Sequence, residues 1–359
     1  MPSFPARDPE TELALVLSGG NALGAYHGGA YQALHEAGWL PDRVVGASAG
    51  AVSGAVICGN AAEQRVTRLE ALWRPSPGAG GEPEAGPAEE LRRTNAVAYS
   101  MAMGQPGIFA PRSIYGPWWN PFGNTEPASL YDATPLDRTL SELVDFDRLN
   151  AGAPRFSLTA VDVESGEDIL FDTTTHALGP DHVRASSALL PAFSPVEIGG
   201  RMLADAGLSL NLLLDTVLSE ASERPLLCIA VDLLPLRGPR PTTLGEAIVR
   251  MQDIVFAAQS RRAIAAWQAI FDAKAAAGTC RAVTLLHIAY ADQQREVSGK
   301  AFDFSPRSAR ARWDAGLADL SAALHALDGQ MNARPGLPVL GGSEQGCTPI
   351  RHELRPQPG

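Results

Sequence analysis

The heptapeptide Val44-Val45-Gly46-Ala47-Ser48-Ala49-Gly50 constrains this chain more than any other stretch. A short apolar run ends in two β-branched residues, Gly-x-Ser-x-Gly follows, and the small residues from Ala49 to about Asn60 read as a helix. A serine between two such glycines marks a sharp strand-to-helix turn, where the backbone is strained and neighbouring chain comes close. Such a turn needs strands that feed helices, which points to a layered α/β fold. It also places the Ser48 hydroxyl at a helix N-terminus, where unpaired backbone N–H groups can meet a developing oxyanion. The same letters also suit a small-residue turn that only packs a strand on a helix. The rest of the chain decides between the two.

A related turn lies upstream. Leu13 to Leu17 has the length of a buried strand, and Ala25 to about Ala37 reads as a helix. Ser18-Gly19-Gly20-Asn21-Ala22-Leu23-Gly24 stands between them. A glycine loop between strand and helix presents backbone N–H groups to an anion. The dinucleotide fingerprint Gly-x-Gly-x-x-Gly fails because Asn21 holds the third place and no acidic residue ends a second strand at the required distance. A phosphate loop fails because no Lys-Ser/Thr pair follows. What remains is a loop whose backbone can approach a substrate carbonyl oxygen.

Further along, strands and helices keep alternating. Phe156–Val163 and Ile169–Asp172 read as a hairpin, and Phe193–Ile198 with Arg201–Ala204 as a second one that delivers Asp205-Ala206-Gly207. Leu226–Leu233 and Val283–Ile288 read as buried strands. Thr134 (as N-cap, with Pro135 after it), Asp181, Thr243 and Ser305 open helical stretches. This alternation implies a mainly parallel sheet covered by helices. The spacing predicts one catalytic domain over 8–332, with a variable insertion at about 74–130, and a loosely held Pro/Gly-rich tail over 333–359. Residues 91–125 carry no Asp or Glu but hold Arg92, Arg93, Arg112, Tyr99, Phe109, Tyr115, Trp118, Trp119 and Phe122. They read as a lid or channel wall, or as a patch that makes transient contact with a membrane or micelle. They also read as a Pro-rich excursion whose aromatic residues pack on the core.

A serine hydroxyl needs a base. An α/β-hydrolase would order its triad Ser, Asp/Glu, His. His287 lies within a strand pattern and His176 in a loop after a hairpin strand, and only one strand precedes the nucleophile strand, so neither histidine fits that order well. Asp205 ends a strand beside two small residues that leave room for close approach. Partial burial would raise its pKa from about 4 toward a useful value. An Asx turn is the structural alternative for that aspartate.

Ser18-Gly19-Gly20-Asn21-Ala22-Leu23-Gly24-Ala25-Tyr26, Gly46-Ala47-Ser48-Ala49-Gly50 and Asp205-Ala206-Gly207, with Ala185–Phe193 before the aspartate, resemble the ordered motifs of the patatin-like phospholipase family. The resemblance covers roughly residues 12–235. It implies a three-layer α/β/α fold with a mainly parallel central sheet and hydrolysis of lipid acyl esters, phospholipid or neutral, through an acyl-enzyme. It further implies a Ser48–Asp205 dyad without histidine and an oxyanion loop at Gly19, Gly20 and Asn21. Two departures stand out. Asn21 replaces a third glycine, a mild change because asparagine tolerates left-handed backbone angles. Leu23 replaces the usual Arg or Lys and removes a positive charge beside the loop, which would favour a neutral ester or weaken activity. A Ser-His-Asp esterase using His287 or His176, and a binding or regulatory protein with a degraded site, are the alternative readings.

Composition excludes other classes. The 359-residue chain carries a net charge of -11, which argues against a nucleic-acid partner and against electrostatic docking on anionic lipid. The four cysteines lie far apart without metal-type spacing, and no apolar run reaches membrane-spanning length. These features predict a cytoplasmic enzyme with no metal or cofactor.

Overall fold

The computed structural model describes residues 7–74, 86–112, 129–279, 281–291, 293, 296–327, 337–343 and 346–349. In chain order they form β1 (Glu12–Leu17), α1 (Ala25–Glu36), β2 (Arg43–Gly46), α2 (Ala49–Cys58), α3 (Ala62–Trp73), α4 (Pro87–Met103), β3 (Ala110–Pro111), β4 (Tyr131–Asp132), α5 (Thr134–Leu143), α6 (Phe146–Asn150), β5 (Arg155–Asp162), β6 (Asp168–Asp172), α7 (Pro180–Ser186), β7 (Val196–Ile198), β8 (Arg201–Asp205), α8 (Leu214–Leu218), β9 (Leu226–Asp232), α9 (Leu244–Ala276), β10 (Val283–Ala289), α10 (Pro306–Ala326), β11 (Val339–Ser343) and β12 (Gly346–Pro349). Short 3₁₀ turns occupy Asn21–Gly24, Ala206–Leu208 and Lys300–Phe302.

The main sheet runs β12-β11-β10-β9-β1-β2-β5-β8-β7, with β6 paired to β5. From β11 to β5 every neighbouring pair is parallel. The antiparallel strands lie at the two margins. Both faces of the central strands are buried, as a parallel sheet requires. In β1, Leu13, Leu15 and Leu17 pack into one apolar cluster with α1, α2, α3 and α10, whereas Ala14 and Val16 pack into a second cluster with α8 and α9. The strand period of two thus separates the helices into two layers, and the fold is α/β/α.

Three sequence expectations change. Residues 91–125 read as a lid, a surface patch or a Pro-rich excursion, yet their first part belongs to α4, a helix over 87–103. Pro87 sits in the first turn with Glu89 and Glu90, Gly104 ends the helix, and neither Pro nor Gly lies between. Tyr115, Trp118, Trp119 and Phe122 lie outside the described residues, while Phe109 packs on Tyr131 and Phe193. The Pro/Gly content beyond 333 suggests a loose tail, but β11 adds a parallel strand beside β10 and buries Leu337, Val339 and Leu340. Finally, Thr134 is not the cap of α5. It is the first helical residue, and the Asp132 side chain accepts its N–H at 3.0 Å.

The contact between α1 and α10 steadies the element that follows the glycine loop. It is possible only because the helices meet at glycines. A Cβ on Gly316 would stand 2.1 Å from the Tyr26 carbonyl oxygen, and one on Gly29 would stand 1.8 Å from that of Trp313. Backbone atoms cannot swing aside as a side chain can. Gly316→Ala is therefore expected to destabilise the protein by about 1–3 kcal/mol through overpacking, read as a lower midpoint in thermal or urea unfolding.

Candidate active site

Ser48 ends the β2–α2 connection with φ 53° and ψ −122°, in the left-handed half of backbone space where a side chain is costly. Neighbours hold it there. Its N–H donates to the Ser186 carbonyl at 3.1 Å, and its own carbonyl accepts the Val52 N–H at 3.1 Å. The flanking glycines are steric necessities. A Cβ on Gly46 would come 2.3 Å from the Gly50 carbonyl oxygen, and one on Gly50 would come 2.1 Å from that of Leu17. The helix therefore begins directly against β1 and β2, and only a chain without Cβ atoms at these two points fits.

Asp205 reaches the same level from the opposite direction. Gly46 pairs with Leu158 on β5, so Ser48 lies two residues on, level with Ala160, and Ala160 pairs with Asp205 across the other edge of β5. The two backbones are thus about 10 Å apart, two strand spacings, and their side chains close the gap over the end of β5. The segment after α7 clasps both. Ser186 accepts the Ser48 N–H and Ala188 accepts the Asp205 N–H at 3.1 Å. Those two carbonyls are two residues apart, which spans at most about 7 Å of chain. The Ser186 hydroxyl ties this clasp to β5 by donating to the Thr159 carbonyl at 2.7 Å.

The Asp205 carboxylate is 2% exposed. It accepts the Gly207 N–H at 2.7 Å, and the Ser48 hydroxyl lies close enough to favour its ionised form. Burial pushes its pKa up to about 6, while the nearby Ser48 hydroxyl and the Gly207 N–H hold it below what burial alone would give. The group thus titrates near neutrality, where a proton acceptor is most useful.

The glycine loop faces Ser48. Asn21 adopts φ 52° at the start of the 3₁₀ turn, the left-handed conformation that asparagine accepts more readily than other side chains. As the first residues of that turn, Gly20 and Asn21 have N–H groups with no intrahelical partner. Gly19 lines the cavity, but its N–H is committed: it donates to Asn211 Oδ1 at 3.1 Å. The expected three-residue oxyanion loop therefore offers Gly20 and Asn21 as free donors, with Gly19 as its anchor point. Leu23 does not border the cavity. It is fully buried in the core.

Two residues that sequence reading passes over shape the loop. Asn211 is 1% exposed and joins Gly19 to α9, since its own N–H donates to Gln259 Oε1 at 2.9 Å. Its signal was present as one amide in the apolar run Leu210–Leu214. Arg312, buried on α10, donates from Nη1 to the Ala22 carbonyl at 3.0 Å and from Nε and Nη2 to Glu296 at 2.9 and 2.7 Å. Burial pushes the Glu296 carboxyl up, and Arg312 beside it more than reverses this, leaving it at about 2. A positive charge does stand behind the loop, supplied from 290 residues along the chain, and no local motif could announce it.

All five expected residues line one cavity of about 440 Å³. Its walls are largely apolar, from Val52, Leu136, Leu189, Phe193, Phe256 and Phe302 among others. The charged side chains among its described lining residues are Asp205 and the pair Asp253–Lys300, which neutralise each other at 2.7 Å. No histidine is among the described lining residues. His287 lies 3.6 Å from Asp232 at the end of β9, and His176 is exposed beside Thr175. Among the described residues no three His, Cys, Asp or Glu side chains cluster as metal ligands, and no helix is long and apolar enough to cross a membrane.

A sequence model of the family described as Patatin-like phospholipase matches residues 15–218, and one described as Patatin phospholipase matches residues 246–335. Among solved structures the chain is similar to VipD from Legionella pneumophila, with 15% identity and a TM-score of 0.36 over 85% of this chain and 67% of that one. It is also similar to the ExoU–SpcU complex from Pseudomonas aeruginosa, with 19% identity and a TM-score of 0.29 over 71% of this chain and 52% of that one. The chain thus spans about two thirds of the first and about half of the second. No curated protein matches it.

Two expectations follow from the site geometry. Between about pH 4 and pH 6 the folded protein keeps the Asp205 proton that the unfolded chain has already released, so stability falls as pH rises through this window and levels off above it. Asp205→Asn removes that loss and should be more stable than the parent at pH 8, by on the order of 3 kcal/mol at most, measured by urea unfolding at pH 4 and 8. Asn211→Ala releases Gly19 and should lower kcat at least as much as one hydrogen bond allows, about tenfold, with little change in KM, measured by steady-state ester hydrolysis.

Proposed function

The chain belongs to the patatin-like phospholipase family, and from that premise we propose that it cleaves lipid carboxyl esters by a Ser48–Asp205 dyad through an acyl-enzyme. The observation that carries this reading is the common clasp. Carbonyls of Ser186 and Ala188 hold the backbones of Ser48 and Asp205, and the two residues line the same cavity.

The steps follow from these groups. Asp205 accepts the hydroxyl proton as Ser48 Oγ bonds to the ester carbonyl carbon. The carbonyl oxygen becomes an anion within reach of the Gly20 and Asn21 N–H groups, whose fixed direction stabilises it without reorganisation. The carbon–oxygen bond to the alcohol then breaks, and the departing oxygen takes the proton back from Asp205. Water repeats the sequence: it gives a proton to Asp205, its oxygen attacks the acyl carbon, and Ser48 leaves and is reprotonated. The apolar walls suit an acyl chain, and the absence of an unpaired cation among the described lining residues favours recognition through that chain over recognition of a charged head group.

With p-nitrophenyl esters of short and long chain length, Ser48→Ala should abolish turnover. Asp205→Asn should lower kcat by about 10²–10⁴-fold, while His176→Ala and His287→Ala keep the parent rate. Full activity in Asp205→Asn together with loss in either histidine variant would replace the dyad with a triad. Because Asp205 acts as base only when ionised, kcat/KM should fall as pH drops below about 6.

A further inference from the structure

The two halves of α9 do different work. The C-terminal half packs Ile264, Trp267 and Phe271 into the core beneath the sheet. The N-terminal half, started by a capping box between Thr243 and Glu246, runs along the cavity, where Ile248 and Phe256 are part of the wall. Its outer side is apolar as well. Leu244, Ile248, Met251 and Val255 recur at helical spacing and fall within an arc of about 60°. All four are exposed, Leu244 by 79% and Met251 by 57%. No charged residue enters that arc before Arg262. Contiguous apolar surface of this kind on a folded chain marks an interaction site.

The surroundings identify the partner. The loop over 238–241 and α9 form a shallow groove in which Arg240 and Arg250 stand beside Met251, Ile254 and Val255. From Leu236 to Arg262 the chain carries Arg237, Arg240, Arg250, Arg261 and Arg262 against Glu246 and Asp253. Asp253 is buried against Lys300, and Glu246 accepts the N–H groups of Thr242 and Thr243. The local surface is therefore cationic although the chain as a whole is at -11. An apolar stripe bordered by arginines suits the boundary between anionic head groups and acyl chains. The stripe is also continuous with the cavity mouth, because Met101, Gly245, Ile248 and Gln252 are both lining and exposed. A lipid surface pressed on the stripe lies across that mouth, and an acyl chain can enter without crossing water.

We propose that the N-terminal half of α9, with the arginine-bearing loop before it, docks the protein on anionic lipid surfaces. The proposal rests on the lipid-ester reading and moves the contact from the residue 91–125 segment as a whole to α9, with the exposed Met101 of α4 also at the cavity.

Vesicle co-sedimentation tests it. The Ser48→Ala protein, which leaves the lipid intact, should sediment with mixed phosphatidylcholine/phosphatidylglycerol vesicles far more than with phosphatidylcholine alone, and binding should weaken as salt is raised. Leu244→Glu/Met251→Glu/Val255→Glu in that background should reduce binding at least tenfold. The same triple change on the active protein should leave hydrolysis of a short soluble ester intact, which verifies the fold. Should the triple change impair folding, Arg237→Glu/Arg240→Glu on the exposed loop should still reduce binding to the anionic vesicles. Equal sedimentation of Ser48→Ala with and without the triple change, or no preference for phosphatidylglycerol, overturns the proposal. So does a dimer in analytical ultracentrifugation that the triple change dissociates, since a second copy then covers the stripe. Stripe-dependent vesicle binding by a protein that hydrolyses no ester would instead retain the docking surface and remove the proposed function.

Discussion

The site depends on how closely α2 starts against the sheet. Backbone at Gly50 rests on the Leu17 carbonyl, and backbone at Gly46 rests on Gly50. That contact forces Ser48 into its positive-φ conformation, and a strained residue persists only where its surroundings overdetermine it. Here the Ser186 carbonyl and the first turn of α2 do so. The same approach brings the ends of β1 and β2 together, so the glycine loop and the serine turn face one another without a further element to align them.

Polar groups are then arranged around this apolar scaffold at long range. Asp205 is fixed by strand register, Gly19 by Asn211, and the Ala22 carbonyl by Arg312. Arg312 links through Glu296 to Arg93 on α4, so the loop is braced by the helix layer and by the segment beside the cavity. The buried charges of Arg312, Glu296, Arg93, Glu89, Lys300 and Asp253 are tolerated because they are paired with one another, and an unpaired one would carry a large desolvation penalty. Asp205 is the informative exception. No cation accompanies it among the described lining residues except the already paired Lys300, and its carboxyl accordingly rests near neutrality.

Much of the fold was legible because its signals are local. The apolar run of β1, the glycine turns and the hairpin at 199–200 each declare themselves within a few residues. α4 was missed because residues 91–125 read as one unit, so that the Pro and Gly from Gly104 onward masked the helix formers before them. β11 was missed because its strand character comes from pairing with β10, and Leu-Gly-Gly within it reads as loop. Asn211 and Arg312 escaped for a different reason: their partners lie 192 and 290 residues away.

The sequence by itself determined a serine turn, a glycine loop and an aspartate at a strand end, because each is written in residues that touch along the chain and obey local sterics. It did not determine that the Gly19 N–H would be committed to Asn211, that Leu23 would be buried while a distant arginine stands behind the loop, or that the long helix from Leu244 would present apolar residues on both its inner and outer sides. Those outcomes belong to tertiary structure. Hydrogen-bond commitment, burial and exposure are properties of what a residue meets after the chain has folded back on itself, and only the closed sheet with its two helix layers fixes that.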